Sequence, residues 1–428
     1  MSEERLWELP AGGAWGTGDP EPWLVGSPDG RHVAVAAARG EGLSVWMDGQ
    51  PGPEFDAIRG DSLTFSAEGG HLAYAAASGQ RWHVVCDGEV GPPFDGVGLV
   101  ALSADGRRLA YAAETEGRWQ VVVEGQAGAQ FDEISALVFS SDGEHLAFVA
   151  RSGRQWQVVL NGEAGPMYDA ISKPVFSPEG GHIAYRAQAA DGWRIVLDGR
   201  TGPGFDAVGV PRLSRDGGHL AYDAVDGDRR GIVLDGQMQG AYPMARWPVF
   251  SADGSRLAYL GWTDGGWRLI IDGEVGPPAN CIEPPCFSPD GRHLAYGTST
   301  GRAWCVGVDG QLGPEFDEIA RYSLRWSPDS ERVCYEARTG NRWQMVLEGQ
   351  AGPAVDEIRW NSSVFSPDGR HLAYTARVGE QCLVVVDAAP GPAFDGIIWG
   401  GPHFDRSDTV HYLALRGTTL YRVTHRLQ

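Results

Sequence analysis

Lysine, cysteine and long apolar runs are all scarce in this sequence. It has one lysine, Lys173, and its other basic residues are arginines, which we attribute to a compositional bias of the genome. The net charge of −21 gives a surface that repels phosphate backbones, so we expect no nucleic acid partner. No run of about 18 apolar residues occurs, so we expect neither a membrane-spanning helix nor a membrane partner.

The few cysteines and the first residues bear on the cellular setting. The first ten residues, MSEERLWELP, are acidic and lack the apolar stretch of a signal peptide. The cysteines show neither a disulfide framework nor the paired spacing of a metal site. They are Cys86, Cys281, Cys286, Cys305, Cys334 and Cys382. We therefore expect a monomeric cytoplasmic protein without metal or cofactor.

A repeat of 37 to 39 residues runs through the whole chain. The string FSPDGRHLAY occurs at Phe287–Tyr296 and again at Phe365–Tyr374. Asp405 takes the place of its serine in a degenerate eleventh copy. The serine itself recurs at Ser27, Ser66, Ser103, Ser140, Ser177, Ser214, Ser251, Ser288, Ser327 and Ser366. This even spacing leaves no room for a linker and predicts a repeat architecture.

Each copy contains four strand-like segments. Strand A precedes the Ser-Pro-Asp-Gly turn, and His-Leu-Ala-Tyr alternates apolar residues as strand B. Strand C ends in Asp-Gly or Asn-Gly, as at Asp87-Gly88 and Asn161-Gly162, which permits the positive φ angles of a type I′ hairpin. Strand D is a short Gly-Pro-x-Phe-Asp segment. Four short antiparallel strands per copy predict the blades of a β-propeller.

The Ser-Pro-Asp-Gly-Arg-x-Leu-Ala-Tyr pattern resembles the WD40-like repeats of TolB-type propellers over nearly all 428 residues. The resemblance implies an all-β fold. It implies no single function, since this repeat is found in periplasmic scaffolds, sensors and peptidase accessory domains. The uniform Asp-Gly-x-x-Gly-Pro-x-Phe-Asp tail of these copies departs from the family pattern.

We predict one large propeller of about eleven four-stranded blades over residues 1–428. The C-terminal copy lacks strand D, and residues 1–18 are expected to supply it, because Gly13 aligns with Gly352 and Thr17 with Asp356. The two termini would then share the last blade and close the ring. Two smaller propellers in tandem are the alternative. The blades are expected to begin near residues 23, 62, 99, 136, 173, 210, 247, 284, 323, 362 and 401.

No motif makes a convincing catalytic site. Gly297–Gly301 matches the Gly-x-Ser-x-Gly nucleophile elbow, but Ser299 falls in a hairpin rather than between a strand and a helix. Asp223 and Glu336 replace small residues of strand B, yet they lie several blades apart. A carboxylate or histidine that recurs in nearly every copy is expected to hold turns. We therefore assign no catalytic residue.

Arginines beside aromatic residues break the repeat near the connection from strand D to strand A. Exposed Trp and Arg dominate recognition hot spots, although the same aromatics would also serve to cap gaps between blades. The candidate binding residues are Arg246, Trp247, Trp262, Arg321, Tyr322, Arg359, Trp360 and Trp399.

These residues support a first hypothesis of a non-catalytic interaction scaffold. Its ligand would be a protein, a peptide or a small anionic or glycan ligand, held on the D–A loop face near the channel mouth. The alternative is an enzyme, a hydrolase or lyase that acts on a glycan or peptide in the channel. A broad rim of aromatic and Arg residues favours the scaffold.

Overall fold

The computed structural model describes residues 1–9, 24–263, 265–299, 301–398 and 400–427. These residues form eleven antiparallel sheets, each with four strands in the order A-B-C-D. Each sheet is one blade, and we number the blades 1 to 11 from the N-terminus. No helix in the described part is long and apolar enough to cross a membrane.

Strands A of neighbouring blades contact one another, which places strand A on the inner side of the ring. Strand A spans, in blade order, Leu24–Gly26, Ala57–Phe65, Gly96–Leu102, Glu133–Phe139, Ala170–Ile171 with Val175–Phe176, Ala207–Val208 with Arg212–Leu213, Ala245–Phe250, Cys281–Ile282 with Cys286–Phe287, Glu318–Ile319 with Arg325–Trp326, Glu357–Ile358 with Val364–Phe365, and Gly396–Ile397 with His403–Arg406. Strand B spans Val33–Arg39, Leu72–Ser78, Leu109–Thr115, Leu146–Ser152, Ile183–Ala189, Leu220–Asp226, Leu257–Thr263, Leu294–Ser299, Val333–Thr339, Leu372–Val378 and Thr409–Arg416.

Strands C and D complete each blade on its outer side. Strand C spans Gly42–Met47, Arg81–Cys86, Arg118–Val123, Gln155–Leu160, Gly192–Leu197, Arg229–Leu234, Gly266–Ile271, Trp304–Val308, Arg342–Leu347, Gln381–Val386 and Thr419–Arg426. Strand D spans Gln50–Phe55, Glu89–Val90, Gln126–Phe131, Glu163–Ala164, Arg200–Thr201, Gln237–Tyr242, Glu274–Ala279, Gln311–Leu312, Gln350–Ala351, Ala389–Pro390 and, for blade 11, Ser2–Glu8.

The two turns of each blade follow from their sequences. In the A–B turn of blade 3, the Ser103 hydroxyl donates to Asp105 (2.6 Å) and accepts the Arg108 N–H (3.0 Å). In the C–D hairpin of blade 2, Asp87 and Gly88 have φ of +49° and +84°, which confirms the expected hairpin. The His71 ring bonds the Asp87 carboxylate (2.7 Å), so the recurrent His–Asp pairs tie strand B to this hairpin.

Apolar clusters join every blade to the next. Eleven such clusters occur among the described residues, and each combines residues of two consecutive blades. One of them packs Val33 and Val35 of blade 1 against Leu413 and Leu415 of blade 11. The ring is therefore closed as one large propeller, and the alternative of two tandem propellers is wrong.

The termini share blade 11, as expected. Ser2–Glu8 pairs antiparallel with Thr419–Arg426 and supplies the missing strand D. The Trp7 indole stacks on Trp46 of blade 1, with ring centres 6.4 Å apart. The stretch Gly13–Thr17, which aligns with strand D of other copies, lies outside the described residues.

Candidate functional site

Strand A is irregular near its middle in blades 2 to 11. In some blades the register shifts, as between Arg246 and Val249, and in others the strand divides into two pieces. Most of the candidate residues lie in these bulges on the inner side of the ring, within strand A rather than in the loop before it. Trp247 and Tyr322 have φ of +58° and +59°, which is the left-handed region that bulky side chains rarely adopt.

Arg246 is held between two indole rings. Its guanidinium carbon lies 3.9 Å from the centre of the Trp247 ring and 4.3 Å from that of Trp267. Trp247 is half-buried and packs with the cluster between blades 7 and 8. A desolvated cation–π contact of this kind contributes about 2 kcal/mol. Arg246 and Trp247 therefore stabilise the wall of blade 7 before any ligand is considered.

Trp262 lies at the end of strand B in the same blade. Its ring meets Trp267 edge to face, with centres 5.5 Å apart, and its backbone N–H donates to the Met244 carbonyl (2.7 Å). About a third of the residue is exposed, so Trp262 belongs partly to blade packing and partly to the surface.

Glu283 is a buried carboxylate that the sequence did not single out. It lies in the strand A bulge of blade 8 and is 4% exposed. Burial raises its pKa, and the charges of Arg321 and Arg246 oppose that rise. The Arg321 Nε lies 3.3 Å from Glu283 Oε1, whereas Oε2 has no hydrogen-bond partner among the described residues. Three consecutive blades, 7 to 9, thus contribute to one charged cluster.

Two glycines, one in blade 8 and one in blade 6, make room for buried carboxylates. A Cβ on Gly297 of strand B would lie 3.2 Å from the Glu283 Cβ, so the absent side chain makes room for Glu283. In blade 6 the glycine is on strand A and the carboxylate is on strand B, the reverse of blade 8. There the carboxylate is Asp223 on strand B, and a Cβ on Gly209 of strand A would lie 1.9 Å from its Oδ1. The signal for Glu283 was therefore Gly297, in a position where every other copy carries a residue with a side chain.

Glu336 is the third carboxylate of this set, on strand B of blade 9. The residue is 7% exposed, and burial raises its pKa to about 7 despite the nearby charge of Arg325. The Arg325 guanidinium is directed to blade 10, where its Nε donates to the Ser363 hydroxyl (3.1 Å) and another nitrogen donates to Asn361. Because Arg325 is shared with these partners, its charge only partly offsets the burial of Glu336, and the carboxyl titrates near neutral pH.

Arg359 connects two blades. Its guanidinium donates to the Ile397 carbonyl of blade 11. Arg59 and Arg186 make the same kind of bond, to the Val97 and Val208 carbonyls of their next blades. Arginines on strand A, as in Arg59 and Arg359, and on strand B, as in Arg186, therefore share a structural use that recurs around the ring.

The most exposed residues of the candidate set are Arg321, Tyr322 and Trp360, which we call the aromatic rim. Tyr322 is 60% exposed and Trp360 is 67% exposed, on neighbouring blades 9 and 10. The Arg321 side chain is 69% exposed although it pairs with Glu283. Trp399, the expected continuation in blade 11, lies outside the described residues.

The remaining sequence candidates lie within packed structure. Ser299 is 4% exposed and ends strand B of blade 8, where its Oγ faces the Gly301 N–H at 3.4 Å. All six cysteines are free thiols. In the described ranges, no group of three His, Cys, Asp or Glu residues could hold a metal ion.

Comparisons with known proteins find similarity among solved structures alone. No family model matches the chain, and neither does any curated protein. Among solved structures, the chain is similar to a eukaryotic initiation factor, with 12% identity, a TM-score of 0.42 and coverage of 92% of this chain and 96% of that one. It is also similar to a putative TolB from Agrobacterium tumefaciens, with 16% identity, a TM-score of 0.29 and coverage of 47% and 85%.

A third similar structure is the Dos1 propeller, with 12% identity, a TM-score of 0.34 and coverage of 77% and 92%. Such identities concern architecture and not function. The resemblance to WD40-like, TolB-type repeats is thus confirmed at the level of the fold, by the four-stranded blades themselves.

Proposed function

We propose that this protein is a non-catalytic interaction scaffold that binds a partner protein through the aromatic rim, on the inner side of blades 9 and 10. The observation that carries the proposal is the exposure of both Tyr322 and Trp360 in the strand A bulges of adjacent blades. Large aromatic side chains left in water favour association, so monomeric proteins rarely keep them together without a use.

Blade packing does not require these two aromatics. Gly60 stands in the position of Trp360 in blade 2, and that blade forms the same four-stranded sheet. Tyr322 also holds a left-handed backbone conformation, which costs a bulky residue roughly 1–2 kcal/mol. Backbone strain that packing does not explain is concentrated at functional sites.

The chemistry of the rim fits a protein surface that offers an apolar recess beside an acidic group. Tyr322 and Trp360 provide two amphipathic anchors, and the Arg321 guanidinium, with most of its side chain in solvent, can pair with a carboxylate. Aromatic and Arg side chains are the residue types that dominate protein interfaces. A short peptide, a small anion and a glycan are the competing ligands.

The test compares Trp360→Ala with a matched control, Val90→Ala, which removes an exposed apolar side chain from the outer strand of blade 2. Tagged variants are used to capture proteins from the native host, and each variant is melted in parallel. We expect Trp360→Ala to lose a partner that wild type and Val90→Ala retain, with binding weakened by about 2 kcal/mol for a hot spot. Equal capture by all three proteins would refute the proposed surface. A marked loss of stability in Trp360→Ala would show that the side chain caps the blades instead.

A further inference from the structure

Two aromatic rings meet edge to face at most junctions between blades. One ring comes from the end of strand D and the other from strand B of the next blade. Their centres lie 5.7 to 6.2 Å apart at six junctions. The pairs are Phe94–Tyr111, Phe131–Phe148, Phe205–Tyr222, Tyr242–Tyr259, Phe316–Tyr335 and Phe394–Tyr412. This contact defines what normally fills the space between two blades.

The junction of blades 7 and 8 lacks the first of these rings. Ala279 pairs with Trp267 across strands D and C, in the position that Phe94 occupies opposite Trp82 in blade 2. Tyr296 is the strand B residue that would face the missing ring. The chain thus retains one partner of the usual pair and has lost the other.

A second substitution lets Tyr296 move out of the space. Tyr296 pairs with Gly307 of its own blade, whereas Tyr111 pairs with Val122 in blade 3. A Cβ on Gly307 would lie 2.6 Å from the Tyr296 ring, so the ring rests where a valine side chain would otherwise stand. Ala279 and Gly307 therefore both contribute to an opening between the two blades.

That opening is a pocket of about 820 Å³. Its walls are mainly apolar and include Leu269, Pro277, Pro278, Ala279, Ile282 and Tyr296. Asn280, Thr298 and Ser299 add polar groups, and Arg256, Asp272 and Glu274 add charged ones. A pocket of this size and character is typical of sites that bind small molecules. It lies between blades, apart from the aromatic rim.

We propose that this pocket binds a small molecule with an aromatic ring, which takes the place of the missing strand D aromatic beside Tyr296. The six intact junctions show that a ring fits between the same strands, edge to face with the strand B aromatic. Apolar space in proteins accepts aromatic ligands readily because water gains little there. The polar groups of Asn280, Thr298 and Ser299 would select ligands that carry a hydroxyl or a similar group besides the ring.

The probe is 4-bromophenol, because its bromine can be located by anomalous scattering in crystals and its binding can be measured in solution. We expect it between Ala279 and Tyr296 in the wild-type protein. Ala279→Phe should weaken its binding at least about tenfold, because the new ring fills the space. Ala279→Ser, which keeps the residue small, should bind it nearly as the wild type does.

Gly307→Val tests the pocket without touching the ligand's own place. The valine should displace the Tyr296 ring into the pocket, weaken 4-bromophenol binding and leave the melting temperature unchanged or higher. Binding of the probe elsewhere, or undiminished binding by both Ala279→Phe and Gly307→Val, would overturn the proposal. An arm with a phenylalanine-containing peptide separates the two sources of a ring, since exclusive binding of the peptide would refute the small-molecule assignment. Partner capture through Trp360 should be unaffected by these variants, so the two proposals fail independently.

Discussion

Replacement of Glu336 by glutamine should stabilise the protein at alkaline pH and do little at acidic pH. Glu336 is 7% exposed, and its pKa is raised from an ordinary value of 4.5 to about 7. A carboxyl whose pKa is raised in the folded state binds its proton more tightly there than in the unfolded chain. Stability therefore falls as pH rises from about 4.5 to 7, and the loss is complete above that window.

The size of the effect follows from the shift. Each pKa unit corresponds to about 1.4 kcal/mol, so the ionised Glu336 costs about 3 kcal/mol of folding free energy at pH 8. Glutamine resembles the neutral acid and removes that cost. For a chain of 428 residues this corresponds to a rise in melting temperature of about 3 °C at pH 8.

Urea unfolding and thermal melting at pH 4.5, 6 and 8 provide the assay. The difference between Glu336→Gln and wild type should be small at pH 4.5 and should grow with pH. Glu331→Gln is the matched control, because Glu331 is exposed on the preceding turn of the same blade. A stability difference that is equal at all three pH values would refute the reasoning, and destabilisation at pH 8 would show that the ionised carboxylate is held by Arg325 after all.

Three further predictions concern closure, strain and the charged cluster. Removal of residues 1–9 should lower the melting temperature by about 5 °C, because it exposes strand C of blade 11 and removes the packing of Trp7 and the buried Leu9. An unchanged melting curve would contradict closure through this strand. Tyr322→Asn should raise the free energy of unfolding by up to about 1 kcal/mol, because asparagine tolerates the left-handed backbone, and it should abolish partner capture. A loss of stability measured by urea unfolding would argue against strain at this residue. Arg246→Ala should lower the free energy of unfolding by about 2 kcal/mol or more, because it removes the cation between Trp247 and Trp267 and one of the two positive charges near Glu283. An unchanged free energy in urea unfolding would show that the indole contacts contribute little.

The fold was predictable because the same local chemistry is repeated along the chain. The Ser-x-Asp hydrogen bonds and the Asp-Gly hairpins need only residues close in sequence, so each copy reports its own turns. Closure of the ring by the two termini was also predictable, because the last copy lacks strand D and another segment has to supply it. The strand found is Ser2–Glu8, which has none of the Gly-Pro-x-Phe-Asp pattern used for the alignment, so sequence similarity could not point to it.

The site was harder to predict because its contacts join residues from different strands of one blade or from different blades. A sequence shows that Arg246 and Arg359 stand beside tryptophans, but not that Arg246 lies between two indole rings or that Arg359 donates to the carbonyl of Ile397. The bulges within strand A were also missed. The repeat pattern is recognised from the apolar residues at the end of the strand, and the inserted residues leave these unchanged. Glu283 was missed because its burial depends on Gly297, fourteen residues further along the chain.

A repeated fold supplies its own controls, and this changes how a deviation is interpreted. Ala279, Gly297 and Gly307 all lie at or beside the junction of blades 7 and 8, and each is smaller than its counterparts in most other blades. Their effects differ by side: Gly297 admits the Glu283 carboxylate toward the channel, whereas Ala279 and Gly307 open the pocket between the blades. Lost packing at one junction would normally destabilise a ring, since core truncations cost roughly 2–5 kcal/mol. An opening beside Ala279 at this one junction, while the neighbouring junctions keep their ring pairs, is the pattern expected where a surface has been adapted for binding.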